Sequence, residues 1–297
     1  PVGLSRARGA TVVDDLTVRA RPKINLRLAV APVGDDGYHP VRSLMVELDG
    51  PVDTVRVRRA SSRSVASPEA PGRDNLCWAA LDALERRVGR ELPAAVEIEK
   101  GIPSQAGLGG GSADAAAALR AVDRLFGLGL AGEELESVAA EVGSDVPFFV
   151  RGGARWATGR GERLAPAHAP RFAVAIVRPD ARLSTPAVYR AFDRMAPPAD
   201  HTPGDAPDMP ALAAWARNDL WPPALALSPG LGAAARALTG AGARAALLCG
   251  SGSCVAGLAD DVAHAERIVA GLEGVKAWVA RPHVRTEEDG GVLGSGA

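Results

Sequence analysis

The sequence predicts an α+β fold, in which antiparallel strands and helices come in separate groups along a chain of 297 residues. The first observation is a series of stretches in which apolar and polar residues alternate, as they do in half-buried strands. These stretches are 17–20, 24–30, 41–48 and 52–57. The second observation is a set of segments whose apolar residues recur at helical spacing. These segments are 75–88, 112–126 and 133–141.

Shorter patterns complete the prediction. A short strand is predicted over 95–99, before the helix that begins at Ser112. The continuous apolar run 174–177 predicts a buried strand, and the same is expected of 245–249 and 255–258. Two more segments have helical spacing, 231–238 and 262–272.

The chain is long enough for one large domain or for two smaller ones around a cleft. A boundary near residue 165 gives an N-terminal domain over 1–165 and a C-terminal domain over 166–297. The stretch 196–210 is rich in Pro and Asp and lacks periodicity, which predicts an excursion loop or a mobile lid. We expect a loose leader over the first dozen residues and a frayed tail from Glu287.

The charge balance argues against two classes of partner. The chain has 34 basic and 35 acidic residues, whereas proteins that bind nucleic acid or anionic membranes usually have a basic surplus. No apolar run approaches the roughly 20 residues that span a bilayer. Arg6 and Arg8 are not followed by the apolar segment of a secretory signal. The expected partner is therefore a small molecule, with no nucleic acid and no membrane.

Three cysteines, Cys77, Cys249 and Cys254, are too few and too scattered for a disulfide framework or a zinc site. We interpret them as small buried apolar residues. This use of cysteine is typical of the reducing cytoplasm, which is the expected location.

The most informative segment is the glycine-rich run from Gly107 to Ser112, between a predicted strand and a predicted helix. Glycine allows positive φ and close approach of the backbone to a ligand. The first turn of a helix offers unpaired amide groups and a partial positive charge, so the segment is suited to phosphate. It lacks the Gly-Lys-Ser/Thr ending of a Walker A loop and the third glycine of a dinucleotide fingerprint. The alternative is a tightly packed connection with no ligand, and Ser112 could cap the helix, contact phosphate or do both.

The segment 103–116 resembles the phosphate-binding motif of the GHMP kinases, the superfamily of galactokinase, homoserine, mevalonate and phosphomevalonate kinases. Residues 22–26 resemble its N-terminal motif, and 248–254 resemble its C-terminal glycine loop. The resemblance implies a two-subdomain fold with the active site in the cleft between the parts. The N-terminal part would be ribosomal-protein-S5-like, and the C-terminal part ferredoxin-like.

Four further segments resemble one branch of that superfamily, which phosphorylates the 2-hydroxyl of cytidine diphosphate methylerythritol in the non-mevalonate isoprenoid pathway. They are 36–39, 143–149, 159–162 and 218–220. The resemblance runs from about Val18 to Leu258 and implies ATP and Mg²⁺ as cofactors and a monomer or homodimer. Ala113, Ser104 and Gln105 depart from the commonest motif, as do the two cysteines beside the last glycine loop.

Lys23 and Asp145 are the candidate catalytic residues. Phosphoryl transfer needs a carboxylate near the attacking hydroxyl, and we expect Asp145 to lie against an apolar wall that partly desolvates it. A cation at Lys23 would favour the ionised carboxylate and stabilise the developing oxyanion. From the residues alone, Asp145 is equally a turn or helix-capping residue and Lys23 an edge lysine; the resemblance favours catalysis. Asn25 shares a strand face with Lys23, so both can point into one cleft.

The resemblance assigns the other site residues to two groups. The ATP group is Asn75, Lys100, Pro103, Ala106, Gly107, Leu108, Gly109, Gly110, Gly111 and Ser112. The substrate group is Asn25, Tyr38, His39, Thr185, Tyr189, Gly250, Ser251 and Gly252. Lys100 could equally be a solvated charge at a strand end. Tyr38 and Tyr189 are expected to flank the cytosine, since stacking of a base on an aromatic ring contributes about 1–3 kcal/mol.

Mg²⁺ is expected from the chemistry, because the ion bridges phosphate oxygens during transfer. Ser112 is the best protein contact for it, and no cluster of carboxylates suggests a dedicated metal site. Asp114 is interpreted as an acidic residue of the first helical turn that complements the helix dipole. His168, His201, His264 and His283 are treated as structural or surface residues.

Two other hypotheses remain at this point. One is another member of the superfamily, such as a homoserine or mevalonate-type kinase or a diphosphomevalonate decarboxylase. Tyr38, His39 and Tyr189 argue against it, because a small acid needs no pocket for cytosine. The other is a non-catalytic ligand-binding relative, which the presence of Lys23, Asp145 and all three glycine segments disfavours.

Overall fold

The computed structural model describes residues 14–168, 170–196, 206–285 and 293–294. The predicted leader, most of the 196–210 segment and nearly all of the predicted tail lie outside these residues. The choice between a loop and a lid for 196–210 therefore stays a prediction. Within the described ranges, no helix is long and apolar enough to cross a membrane.

The strands and helices alternate in blocks, as the α+β prediction requires. The strands are β1 (Asp15–Ala20), β2 (Lys23–Val30), β3 (Val41–Asp49), β4 (Asp53–Arg59), β5 (Ser64–Ala66), β6 (Ala94–Glu99), β7 (Ala154–Thr158), β8 (Arg163–Pro166), β9 (Ala173–Arg178), β10 (Arg217–Asn218), β11 (Ala246–Leu248), β12 (Val255–Ala259), β13 (Lys276–Pro282) and β14 (Leu293–Gly294). The helices are α1 (Leu76–Val88), α2 (Gly110–Phe126), α3 (Gly132–Val142), α4 (Val146–Arg151), α5 (Thr185–Phe192), α6 (Ala211–Trp215), α7 (Trp221–Leu227), α8 (Gly230–Gly240) and α9 (Val262–Ala270), with a short 3₁₀ turn at Gly72–Asp74.

The first sheet consists of four N-terminal strands and the C-terminal strand β14, in the order β14-β1-β4-β6-β5 over the described residues. Helix α2 packs against β1 and β4, with α1, α3 and α4 around it. The alanines 115–118 of α2 are fully buried, and their small side chains let the helix lie close to its neighbours. Strand β14 pairs with β1, so the prediction of a frayed tail was wrong at Leu293 and Gly294.

The second sheet combines strands from both parts of the chain. Its order is β10-β2-β3-β13-β9-β12-β11, and β7 joins it through β3 and carries β8. Strand β3 pairs with β2 and β7 from the N-terminal part and with β13 from the C-terminal part. Helices α8 and α9 cover β9 and β12. The boundary near residue 165 stays a prediction, since the sheet continues across it.

A β-bulge in β2 shapes the sheet beside the cleft. The pairing with β3 shifts between Asn25 and Arg27, which leaves Leu26 as the extra residue. Ile24 and Leu26 pack into one core cluster, whereas Leu28 and Val30 pack into another on the opposite side. The bulge therefore changes which side chains of β2 face the cleft partway along the strand.

Candidate active site

A cleft of about 1190 Å³ lies where β2 and β3 meet the glycine-rich loop and α5. Pockets for single ligands commonly measure about 300–1,000 Å³, so this cleft has room for two substrates. All of the predicted site residues line it except Leu108 and Gly252. Leu108 is buried in the core, and a Cβ on Gly252 would meet Leu183 and Leu248.

The glycine-rich loop is packed directly against the C-terminal glycine turn. Gly107 has φ +75°, and a Cβ there would lie 1.7 Å from the carbonyl oxygen of Cys249. The amides of Ser253 and Cys254 donate to the carbonyl oxygens of Gln105 and Ala106 at 3.2 and 3.1 Å. The two glycine segments, which are far apart in the sequence, thus form one continuous backbone surface.

Helix α2 begins at Gly110, two residues before the predicted start at Ser112. Gly109 is the N-cap residue in the left-handed region, so the prediction that Ser112 could cap the helix was wrong. The amides of Gly110, Gly111 and Ser112 have no acceptor within the helix, because they belong to its first turn. All three residues line the cleft, which gives it the predicted site for an anion.

Lys23 and Asp145 meet at the end of this loop. The Nζ of Lys23 lies 3.7 Å from Oδ2 of Asp145 and donates to Oδ1 of Asn25 at 2.6 Å. Asn25 in turn donates to the hydroxyl of Ser43 at 2.7 Å. The backbone amide of Lys23 donates to the carbonyl oxygen of Leu108 at 3.0 Å, so the loop and the lysine are tied together.

The two charged groups differ in burial. The side chain of Lys23 is 5% exposed, and that of Asp145 is 37% exposed. Asp145 stands at the N-cap position of α4, but its side chain makes no capping hydrogen bond. Its carboxylate is therefore free to meet a ligand. Phe148 and Phe149, which follow Asp145 in α4, are buried in the core, and their role as an apolar wall that partly desolvates Asp145 stays a prediction.

His39 and Tyr189 form the aromatic part of the cleft. Their ring centroids are 5.1 Å apart and tilted by 38°, and Nδ1 of His39 lies 2.9 Å from the carbonyl oxygen of Ala31. Burial, and secondarily the charge of Asp145, raises the pKa of Tyr189 to about 12, so its hydroxyl stays neutral. Tyr38 is exposed and lies beneath Arg160. The ring that packs on Tyr189 is His39, and the expectation that Tyr38 and Tyr189 flank the cytosine stays a prediction.

Three polar side chains of the cleft, those of Thr185, Ser251 and Asn75, have hydrogen-bond partners within the protein. The hydroxyl of Thr185 lies 2.8 Å from that of Ser251. The side chain of Asn75 accepts from the amide of Cys77 and donates to the carbonyl oxygen of Ala70, so it caps α1 at the edge of the cleft. Its assignment to ATP stays a prediction.

Lys100 and Asp114 form a buried ion pair of 2.8 Å, and Lys100 also contacts Asp53. Asp114 lies in the second turn of α2, because the helix begins earlier than predicted, so the interpretation as a first-turn residue was wrong. Burial and the charge of Asp53 raise the pKa of Asp114 to about 7, although Lys100 acts in the opposite direction.

Three residues anchor this site in roles that the sequence does not reveal: Asn218, Glu47 and Arg285. Asn218 donates to the carbonyl oxygens of Leu248 and Gly250 at 2.9 and 2.6 Å and thereby holds the C-terminal glycine turn. Arg285 donates to the carbonyl oxygens of Phe149 and Val150 at 2.8 and 2.9 Å and contacts Glu47 on β3.

Arg285 and Glu47 form an ion pair of 2.9 Å. Burial acts to raise the pKa of Glu47, but the hydrogen bond and charge of Arg285 outweigh burial and lower it. The pair fixes the last turn of the short helix that carries Asp145 at its start. Asn218 belongs to a segment that the sequence already marked by resemblance, whereas no pattern distinguished Glu47 or Arg285.

Four arginines that line the cleft add positive charge to it. They are Arg160, Arg178, Arg182 and Arg190. Within the described residues, none of the four forms an ion pair with a carboxylate, in contrast to the other cations around Asp53 and Glu47. Unpaired guanidinium groups are suited to phosphate oxygens.

Comparisons with known proteins agree with this geometry. Residues 75–153 match the model of the GHMP kinases N terminal domain, and residues 205–275 match that of the GHMP kinases C terminal domain. The 4-diphosphocytidyl-2-C-methyl-D-erythritol kinase of Rhodococcus jostii (strain RHA1) is 40% identical over 282 residues, which cover 89% of this chain and 90% of the relative. The enzyme of the same name from Anaeromyxobacter dehalogenans (strain 2CP-C) is 43% identical over 257 residues, covering 82% and 80%.

Solved structures show the same relationship. A crystal structure of 4-(cytidine 5'-diphospho)-2C-methyl-D-erythritol kinase matches with a TM-score of 0.74 and 32% identity, covering 91% of this chain and 100% of that one. Homoserine kinase from Cytophaga hutchinsonii matches with a TM-score of 0.70 and 17% identity, covering 94% and 98%. The second match shows a shared fold only. The α+β prediction and the resemblance to this superfamily are confirmed.

Proposed function

We propose, on the premise that this chain belongs to the GHMP kinase family, that it transfers the γ-phosphoryl group of ATP to the 2-hydroxyl of 4-diphosphocytidyl-2-C-methyl-D-erythritol. Relatives of that name cover most of the chain at about 40% identity. The observation that carries the proposal is the Lys23–Asp145 pair at the end of the glycine-rich loop. We propose that this pair supplies the cation and the carboxylate at the point where the terminal phosphate and the acceptor hydroxyl meet.

In the proposed mechanism, Asp145 accepts a hydrogen bond from the acceptor hydroxyl and takes its proton as the oxygen attacks phosphorus. Lys23 lies between Asp145 and Asn25, and its ammonium group stabilises the negative charge that develops on the transferred group. Asn25 and Ser43 hold this ammonium group in place through their chain of hydrogen bonds. Positioning by fixed dipoles and charges supplies most of the catalysis in this class of reaction.

The ATP phosphates are proposed to bind the amides at the start of α2. No group of three or more His, Cys, Asp or Glu side chains in the described ranges could hold a metal ion by itself. Mg²⁺ commonly binds through substrate phosphates and one or two protein oxygens, and the hydroxyl of Ser112 on the cleft fits that role. When bound, the ion offsets the charge of the phosphates.

The other end of the cleft supports a cytidine nucleotide as the acceptor. Tyr189 and His39 offer aromatic surface for the base, and Thr185 and Ser251 offer hydroxyl groups. We propose that Arg178 and Arg190 contact the diphosphate, since they line this wall without acidic partners in the described part of the chain. Homoserine and mevalonate have no base or diphosphate that would use these groups.

An ATP-consumption assay with three acceptors tests the proposal. Cytidine diphosphate methylerythritol is expected to be phosphorylated, whereas homoserine and mevalonate are expected to give only the background rate. Mass spectrometry of the product should show one added phosphoryl group. Turnover of homoserine or mevalonate, with none of the cytidine nucleotide, would overturn the assignment.

Tyr189→Ala is expected to raise KM for the cytidine substrate by about 10- to 100-fold, because base stacking contributes about 1–3 kcal/mol. KM for ATP should change less than twofold, since Tyr189 packs against His39, whereas the proposed ATP ligands are the amides at the start of α2. Steady-state kinetics with each substrate varied in turn measures both values. Tyr189→Phe, which keeps the ring, is the matched control and should remain close to the unaltered chain. Equal effects on the two KM values would contradict this assignment.

A further inference from the structure

The base of the glycine-rich loop contains a buried cluster of three charges, defined here as the Lys100 cluster: Asp53, Lys100 and Asp114. Lys100 ends the segment that leads into the loop, Asp53 opens β4, and Asp114 lies on α2. The side chains are 0%, 11% and 4% exposed in that order. Charges at this depth are costly unless they are paired, so the cluster must be held together.

Asp53 binds the backbone that leads into the loop. Its Oδ1 accepts hydrogen bonds from the amides of Gly101 and Ile102, each at 2.7 Å, while its Oδ2 contacts the ammonium group of Lys100. One carboxylate thus fixes three consecutive residues at the entrance to the loop.

Lys100 connects that entrance to the helix at the exit of the loop. Its ammonium group donates to Oδ2 of Asp114 at 2.8 Å. The same nitrogen lies 3.4 Å from the position that a Cβ on Gly110 would occupy, directly beneath the first residue of α2. The ammonium group has three N–H donors, and two of them are already committed to carboxylates.

We propose that Asp53 is a positioning residue for ATP, which acts through Lys100 and Asp114 to set the spacing between the two ends of the phosphate-binding loop. Lys100 then supports the loop from the side away from the phosphates and does not bind them directly. The amides of Gly110, Gly111 and Ser112 can hold an anion only if the first turn of α2 is correctly oriented, and the Lys100 cluster orients it. The inference rests on the proposed function, because it takes ATP as the ligand of the loop.

Asp53→Asn is expected to change the affinity for ATP in opposite directions, depending on whether Lys100 supports the loop or binds the phosphates directly. If the cluster braces the loop, loss of the Asp53 charge loosens the entrance, and the affinity for ATP is expected to fall about tenfold or more. If Lys100 is instead a direct phosphate ligand, removal of a competing carboxylate frees its ammonium group, and the affinity for ATP rises. The affinity for adenosine, which lacks phosphates, should change less than twofold in the first case.

A second variant covers the outcome in which Asp53→Asn does not fold. Lys100→Gln combined with Asp114→Asn removes one basic and one acidic side chain and leaves Asp53, the acceptor of the hydrogen bonds from Gly101 and Ile102, in place. It removes both ion pairs of Lys100, to Asp114 and to Asp53, and with them the ionic link between the loop entrance and α2. We again expect a loss of ATP affinity of about tenfold with adenosine binding retained.

The matched control is Asp82→Asn. Arg63 is another cation held by two carboxylates, those of Asp82 and Glu85. None of these three residues lines the cleft. This variant should lower the melting temperature without changing ATP affinity.

Competition binding with the full chain, in the absence of an acceptor, gives the affinities for ATP and adenosine. Because no acceptor is used, these results are independent of whether the acceptor assignment holds. Three results would overturn the inference: unchanged or tighter ATP binding in Asp53→Asn, unchanged ATP binding in the folded double variant, or equal losses for ATP and adenosine.

Discussion

Replacement of Asp145 by asparagine should reduce kcat by about 10²–10⁴-fold, the usual contribution of a positioned general base. The structure supports a specific reason for this expectation. The carboxylate lies 3.7 Å from the ammonium nitrogen of Lys23 and makes no capping bond to α4, so its substitution leaves the helix start unchanged. Asparagine keeps the size of the side chain but cannot take a proton from the acceptor hydroxyl. Steady-state kinetics at saturating ATP and acceptor measures the loss.

The affinity of Asp145→Asn for ATP distinguishes a loss of catalysis from a loss of folding. It should stay within about threefold of the unaltered chain, because the amides of the glycine-rich loop are untouched. Asp180→Asn, which removes a carboxylate from the exposed segment after β9, is the charge-matched control and should keep full activity. Near-normal kcat in Asp145→Asn would remove Asp145 from the proposed mechanism.

Substitution of Gly107 by alanine is expected to lower kcat/KM by about 10²-fold, the effect that a displacement of about 1 Å at an active site can have. The new Cβ would lie 1.7 Å from the carbonyl oxygen of Cys249, so the two glycine segments must move apart. The amides proposed to bind phosphate follow Gly107 in the loop, and the amide of Lys23 is hydrogen-bonded to the next residue, Leu108, so both depend on that contact. Kinetics and thermal melting of the purified variant measure the two consequences.

Gly127→Ala provides the control for the conformational effect alone. Gly127 ends α2 with φ +60° and has no atom near the position of a Cβ, so alanine adds strain of about 1–2 kcal/mol without a collision. The melting temperature should fall in both variants, but kcat/KM should fall only in Gly107→Ala. Activity losses of equal size would show that strain, and not the contact between the segments, is responsible.

The part of the site that was most predictable from sequence is the glycine-rich loop, where several glycines come directly before the start of a helix. Gly107 and Gly109 have positive φ, a conformation that favours glycine, so these positions can be recognised in the sequence as glycines. The error at Ser112 has a physical cause: serine is a frequent N-cap, but here the left-handed Gly109 ends the loop earlier, and α2 starts with two glycines. The helix start, which lies two residues earlier than predicted, also explains why Asp114 falls in the second turn and not in the first.

The supporting residues were less predictable, because a single charge in a strand has the same appearance whether it faces solvent or a buried partner. Asp53 in β4 and Glu47 in β3 are of this kind, and Arg285 lies beyond the end of β13; the partners of all three lie far away in the sequence. The short helices α4 and α5 were also missed. Each has a proline in its first turn, a recognisable start signal, but too few residues to show helical periodicity.

The sheet that contains β2, β3, β9 and β13 has a consequence for how the two substrates meet. Strand β3 is hydrogen-bonded to partners from both parts of the chain, so the parts cannot rotate apart without breaking backbone ladders. We therefore expect closure around ligands to come from loops and side chains at the rim, with the glycine-rich loop and Lys23 held together by the bond between Lys23 and Leu108. The separation between these groups should then be the same before and after the nucleotides bind.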